Sequence, residues 1–210
     1  ISACLVGSEM CIRDRRGAAG RFGWVWIGVL ASGTGTILES LLGASLDIRV
    51  VVVDRPCRAQ EVAEGAGVPG VLVARRSFGA DFDRRGYSKE VLDALAEYKV
   101  DLVAIAGFGT VLDANFFDAF PGRVLNTHPS LLPAFKGWHA VDEALAAGVK
   151  VTGCTVHIAT ADVDAGPILA QEAVPVLPAD DAAGLHERIK AVERRLYPDT
   201  IARFSRGELP

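Results

Sequence analysis

The sequence predicts an α/β fold, a Rossmann-like and mostly parallel sheet with helices on both faces, extended by a late antiparallel strand pair. Two observations carry that reading. From Val25 onward, short apolar runs alternate with longer amphipathic ones, the rhythm of strands joined by crossover helices. After Ala147 the rhythm changes: Val151–His157 and Ile168–Pro175 follow one another across a short polar loop, as an antiparallel pair would.

In chain order, strands are predicted at Val25–Ala31, Ile48–Asp54, Val71–Ala74, Leu102–Ala106 and Val124–Asn126, each a short apolar run suited to a buried parallel sheet. Helices are predicted at Ile37–Leu42, Ala59–Gly65, Tyr87–Tyr98 and His139–Ala147, and each connection is long enough for a right-handed crossover. A last helix over Ala182–Phe204 places Leu185, Ile189, Val192, Leu196 and Ile201 at helical spacing, so these should face inward.

Composition narrows the functional classes. The 210 residues are 50% hydrophobic and 23% charged, which fits one globular domain and argues against disorder. With 22 Lys plus Arg against 26 Asp plus Glu, and no basic cluster longer than pairs such as Arg75-Arg76 and Arg84-Arg85, nucleic-acid binding is not expected. The apolar runs Ile48–Val53 and Leu102–Ala106 are too short to span a bilayer. Residues 1–23 hold the only Met and lack a secretory pattern, and Glu9 to Arg15 resembles a translated sequencing adapter. They are read as a non-native segment before a single domain at 24–210. The ending Gly207-Glu208-Leu209-Pro210, where another strand would follow, leaves a truncated C-terminus open. Cys57 and Cys154 show neither CxxC nor metal spacing, which fits a cytoplasmic setting. A homodimer is left open.

Three segments carry chemistry. Ser32-Gly33-Thr34-Gly35-Thr36 joins the first strand to its helix, where backbone N–H groups and the helix dipole suit an anion such as phosphate. It lacks the third Gly of a dinucleotide fingerprint and the Lys of a P-loop, and a tight turn explains it equally well. Asn126 and His128 stand two apart where a strand enters the Pro-punctuated run Pro129-Ser130-Leu131-Leu132-Pro133. That spacing aims an amide and an imidazole at one spot on the carboxyl edge of the sheet. The loop Thr160 to Pro167 between the late strands offers Asp164 followed by small residues, a carboxylate for a crowded site or simply a turn former.

Taken together, Asn126 to Pro133, Gly137, and Asp164-x-Gly166-Pro167 resemble the folate-dependent formyltransferases over about Ile27 to Gly207. Gly153-x-Thr155-Val156-His157 and Glu193 fit the same pattern. The loop after the first strand is similar to that of members whose amine substrate is glycinamide ribonucleotide. The resemblance implies a catalytic set of Asn126, His128 and Asp164, with 10-formyltetrahydrofolate as co-substrate and no metal. Asn126 and protonated His128 would donate to the formyl oxygen, and Asp164 would hold His128 cationic and help move a proton. It further implies that Gly33, Thr34, Gly35 and Thr36 bind phosphate and that Glu193 bonds ribose hydroxyls, although by sequence alone Glu193 passes for a solvated helix residue. Phe108, Gly109, Thr110, Val111, Leu112 and Thr160, with Asp164, would line the folate slot, and the Leu132-Pro133 bond would be cis. His139, His157 and His186 are read as structural or surface residues. Two positions depart from the family pattern: Gly109-Thr110 stands where a Met-Arg pair is usual, and Ile37 where an Asn touches phosphate. The alternatives are a formyltetrahydrofolate deformylase, a methionyl-tRNA formyltransferase, or a non-catalytic nucleotide-binding module of the same fold.

Overall fold

The computed structural model describes residues 25–209, so the reading of residues 1–23 lies outside the described residues. In chain order the elements are β1 (Ile27–Ala31), α1 (Thr36–Leu42), β2 (Ile48–Val53), α2 (Arg58–Gly65), β3 (Gly70–Leu72), α3 (Arg84–Glu97) and β4 (Leu102–Ile105). There follow α4 (Ala114–Ala119), β5 (Val124–His128), α5 (Ala140–Ala146), β6 (Val151–Ile158), β7 (Ile168–Pro175) and α6 (Ala182–Ser205). The sheet runs in the order β3-β2-β1-β4-β5-β6-β7. Pairing is parallel from β3 to β5 and antiparallel for β5 with β6 and β6 with β7, as the change of rhythm predicts.

The continuous apolar runs of β1 and β2 follow from burial on both faces. Ile27, Val29, Val51 and Val53 pack with Leu38 and Leu41 of α1, Ala59 and Ala63 of α2, and Tyr197 and Ile201 of α6. Leu30, Val50 and Val52, on the opposite side of the pleat, pack with Val91 and Leu95 of α3 and Phe116 of α4. Gly28 keeps this second face close, because a Cβ there would stand 2.6 Å from Leu95 Cδ2. Cys154 and Val174 of the late strands close against Val141, Leu185 and Ile189.

Helix starts are set by side chains. Asp83, Asp113 and Asp181 accept from the backbone N–H of Gly86, Asn115 and Gly184, each satisfying a donor that the helix leaves unpaired, a contribution of about 1 kcal/mol apiece. Of the residues predicted inward on α6, Leu185, Ile189 and Ile201 are fully buried, whereas Val192 and Leu196 are half-buried. Tyr197 takes the deep position, its hydroxyl donating to the Leu125 carbonyl at 2.8 Å. Two further differences bear on the site. Short α4 has too few turns for a periodic signal. β5 runs two residues past Asn126, because Thr127 and His128 pair with Val156 and Thr155 of β6, a tertiary partnership that local pattern does not reveal.

Candidate active site

At the carboxyl edge of β4 and β5 lies a cleft of about 400 Å³. Asn126 and His128 line it, being alternate residues of β5, and Asp164 enters from the loop between β6 and β7. Phe108, Gly109, Thr110, Val111, Leu112 and Thr160 also line it. The volume and the mix of apolar wall with few polar groups suit a small-molecule ligand.

His128 is 5% exposed and faces an acceptor at each ring nitrogen: Nε2 donates to the Phe135 carbonyl at 2.7 Å, and Nδ1 lies 3.3 Å from Asp164 Oδ2. A carbonyl can only accept, so Nε2 is the donor to Phe135, and Nδ1 is the nitrogen turned toward the Asp164 carboxylate. Phe135 and Asp164 have φ of 52° and 51°, left-handed for residues other than glycine. Two of the three such residues among those described therefore touch His128, and strain of this kind gathers at functional sites. The loop from Pro129 to Gly137 is held from β6 and β7. Thr155 Oγ1 donates to Ser130 O and accepts from Leu132 N, while Gln171 Nε2 donates to Leu132 O. The Leu132-Pro133 bond is cis.

Asp164 Oδ2 also accepts from Gly137 N at 2.8 Å. Burial alone would raise the Asp164 pKa, but hydrogen bonds from His157 and Gly137 and the charges of His128 and His157 outweigh it and hold the pKa below the ordinary aspartate value. The carboxylate is therefore ionised at neutral pH. Its contribution to stability is present above the unfolded pKa and lost as pH falls through the lower folded one.

Of the two readings for His157, structural or surface, the structure excludes the surface one. His157 is 1% exposed, with Nε2 3.1 Å from Asn126 Nδ2 and 3.5 Å from Asp164 Oδ1, while Nδ1 faces the Ile158 carbonyl at 3.0 Å. When Nε2 lacks a proton it accepts from the Asn126 amide, and when it carries one it donates to Asp164. The signal lay in strand pairing, for Asn126 and His157 stand opposite one another across β5 and β6.

Gly33, Thr34, Gly35, Thr36 and Glu193 do not line this cleft. The glycine loop lies beside it, and the Ser32 N–H donates to the Gly107 carbonyl at 3.1 Å. Gly35 has φ of 76° and no side-chain hydrogen bond caps α1, so no cap occupies its first-turn N–H groups. Ile37, 8% exposed, belongs to the core, which explains an apolar residue there. Gly35→Val is expected to lose binding of a phosphorylated substrate and also about 1–3 kcal/mol of stability from a left-handed β-branched residue. A Cβ would in addition stand 3.0 Å from Ala59 Cα. Thermal melts and phosphate-ester binding check both parts.

Glu193 is buried, against its reading as a solvated residue, because α6 turns it under β5. Burial raises its pKa, with a hydrogen bond from Thr127 pulling the other way, so ionisation of Glu193 costs stability as pH rises through the unfolded and then the folded value. Glu193→Gln is thus expected to raise the melting temperature at neutral pH by a few degrees while weakening any ligand that uses this carboxylate, a trade common at binding sites. A lower melting temperature would show that the charge is structurally needed.

An open α/β sheet whose carboxyl edge gathers an amide, an imidazole and a carboxylate around an apolar cleft has the form of a group-transfer site. The family model described as formyl transferase matches residues 26–201, and the chain belongs to this family. It is 51% identical over 179 residues to a phosphoribosylglycinamide formyltransferase of Mycobacterium tuberculosis, covering 83% of this chain and 82% of that protein. A human trifunctional purine biosynthetic protein adenosine-3 is 38% identical over 86% of this chain, which spans 18% of that longer protein. The crystal structure of glycinamide ribonucleotide transformylase 1 from Symbiobacterium toebii superposes with a TM-score of 0.81 at 42% identity, covering 87% of this chain and 88% of that one.

Proposed function

We infer that this enzyme transfers the formyl group of 10-formyltetrahydrofolate to the amine of glycinamide ribonucleotide, a step of purine biosynthesis. The observation that carries the reading is the convergence of Asn126, His128 and Asp164 on one cleft wall, within a chain of the formyl transferase family.

The amine nitrogen attacks the formyl carbon, and negative charge grows on the formyl oxygen. Asn126 turns an amide N–H to that oxygen, its other N–H meeting His157 when Nε2 there lacks a proton, and the long His128 contact to Asp164 leaves the Nδ1 proton to be shared with the oxygen. As the carbon–nitrogen bond to the folate breaks, the proton lost by the amine passes by way of Asp164 and water to the departing folate nitrogen. Phe108 to Leu112 and Thr160 hold the folate. The loop from Gly33 to Thr36 holds the phosphate through its uncapped backbone N–H groups, and Glu193 accepts from the ribose hydroxyls. A cytoplasmic setting belongs to this reading, supported by the free thiols of Cys57 and Cys154. No described helix is long and apolar enough to cross a membrane.

The test is incubation with 10-formyltetrahydrofolate, with and without glycinamide ribonucleotide, following loss of the formyl group and formylation of the amine. Transfer that requires the amine substrate is the expected result. Formyl loss that ignores the amine would instead mark a deformylase.

A further inference from the structure

Beside the cleft, Gly109 and Thr110 share an ion-paired cluster that the catalytic set does not use. Asp54, 1% exposed at the end of β2, accepts from Arg55 Nε at 2.9 Å and Nη2 at 3.1 Å and from Thr110 Oγ1 at 2.8 Å. Ser32 Oγ accepts from Gly109 N at 2.6 Å, so the same knot ties the glycine loop after β1 to the cleft wall. Burial acts to raise the Asp54 pKa, but hydrogen bonds from Arg55, Thr110 and Ser32 and the Arg55 charge more than offset it, leaving a carboxylate that is ionised at neutral pH.

That anion grips Arg55 by one edge of its guanidinium. The Arg55 side chain remains 45% exposed, and among the described residues its Nη1 donates to no protein group. Its position depends on Gly109, where a Cβ would stand 2.8 Å from Arg55 Nη2. Arg55 therefore occupies the space that any larger residue at 109 would fill, directly over a cleft-lining position. Arg75 lies nearby: both guanidinium groups stack on exposed Phe78, at 5.9 Å for Arg55 and 4.5 Å for Arg75. Arg55 does not itself line the cleft, but it stands behind the lining residue Gly109 as a pre-oriented cation, and residue 110 is Thr, whose hydroxyl is turned inward to Asp54.

We propose that Arg55 is a specificity-determining residue that binds the glutamate carboxylate of the folate co-substrate at the Gly109 lip of the cleft. The inference rests on the formyl-transfer reading. A guanidinium fixed on one edge by Asp54 offers its remaining N–H groups to a carboxylate with little further loss of freedom, which a flexible ammonium could not match. Partial exposure limits the gain, so the effect is on the order of tenfold in affinity.

The test compares 10-formyltetrahydrofolate with the analogue lacking the glutamate, in the unaltered enzyme and in Arg55→Gln, Arg55→Lys and Gly109→Ala. Formyl transfer by the unaltered enzyme is measured first, since its absence would sink the functional reading rather than this one. Arg55→Gln should raise the KM for the glutamate-bearing folate about tenfold, leaving kcat, the des-glutamate folate and the phosphorylated amine unaffected. Arg55→Lys should fall between. Gly109→Ala keeps the arginine but pushes it aside and alters the folate wall as well, so it should weaken both folates, the glutamate-bearing one more. Equal weakening of both folates would overturn the proposal and reduce Arg55 to a support for the Gly109 wall. A loss confined to the phosphorylated amine would overturn it too, giving the cation to the phosphate.

Discussion

Replacing Asp164 by Asn is expected to lower turnover about a hundredfold or more while leaving both substrate dissociation constants nearly unchanged, by analogy with removal of one oxyanion donor. The side chain keeps its size, and its oxygen can still accept from the Gly137 N–H, so the loop has no steric reason to move. What disappears is the charge between two imidazoles, 3.3 Å from His128 and 3.5 Å from His157. His128 then retains the Phe135 carbonyl on Nε2 but has no anion on Nδ1, and the donor to the formyl oxygen weakens. The path that carries the amine proton to the folate is cut as well, because an amide does not take up a proton near neutral pH. In the unaltered enzyme the lowered Asp164 pKa keeps this group ionised down to the acid side of the ordinary aspartate value of 3.8, so its protonation should not limit activity above that range. Turnover and binding measured on the same variant separate the outcomes. Near-normal turnover would return Asp164 to a turn-forming role.

Much of the architecture is legible in the sequence because it rests on local physics. The runs of β1 and β2 read as buried strands since helices cover both of their faces, and the late pair announces itself by a change of period. The residues brought together at the cleft are equally visible, because i, i+2 spacing on β5 puts Asn126 and His128 on one side. What stays hidden depends on partners distant in sequence. His157 gains its place only from the antiparallel register with Asn126, and Glu193 is buried by the rotation of α6 rather than by its own polarity. Arg55 looks like one member of an Asp-Arg pair in a loop. Its meaning comes from Gly109, over fifty residues away, whose missing side chain leaves the space it fills. Phe135 and Asp164 show no sequence sign of their left-handed backbone.

Replacing Gly166 by Ala is expected to lower both turnover and stability, and the combination distinguishes it from Asp164→Asn. A methyl group there would lie only 1.9 Å from the Ile158 carbonyl oxygen and 3.0 Å from its carbon, both backbone atoms, with Thr160 Cγ2 at 3.1 Å. The strand end cannot yield easily. Ile158 is paired with Leu125, its N–H donates to Pro167 O at 2.8 Å, and the next N–H reaches Val124 O at 2.7 Å. The loop must therefore swing outward, and Asp164, two residues earlier, moves with it. A displacement of about 1 Å suffices to cost on the order of a hundredfold in a positioned site, and overpacking adds about 1–3 kcal/mol of destabilisation. A useful contrast is Gly65→Ala on α2, where a Cβ meets nothing within 4 Å and the backbone is helical. That change should be neutral or slightly stabilising and leave turnover alone. Melting curves and turnover for the two variants decide the matter. Gly166→Ala with normal turnover would show that the loop carrying Asp164 can shift without consequence, and that this glycine serves the turn alone.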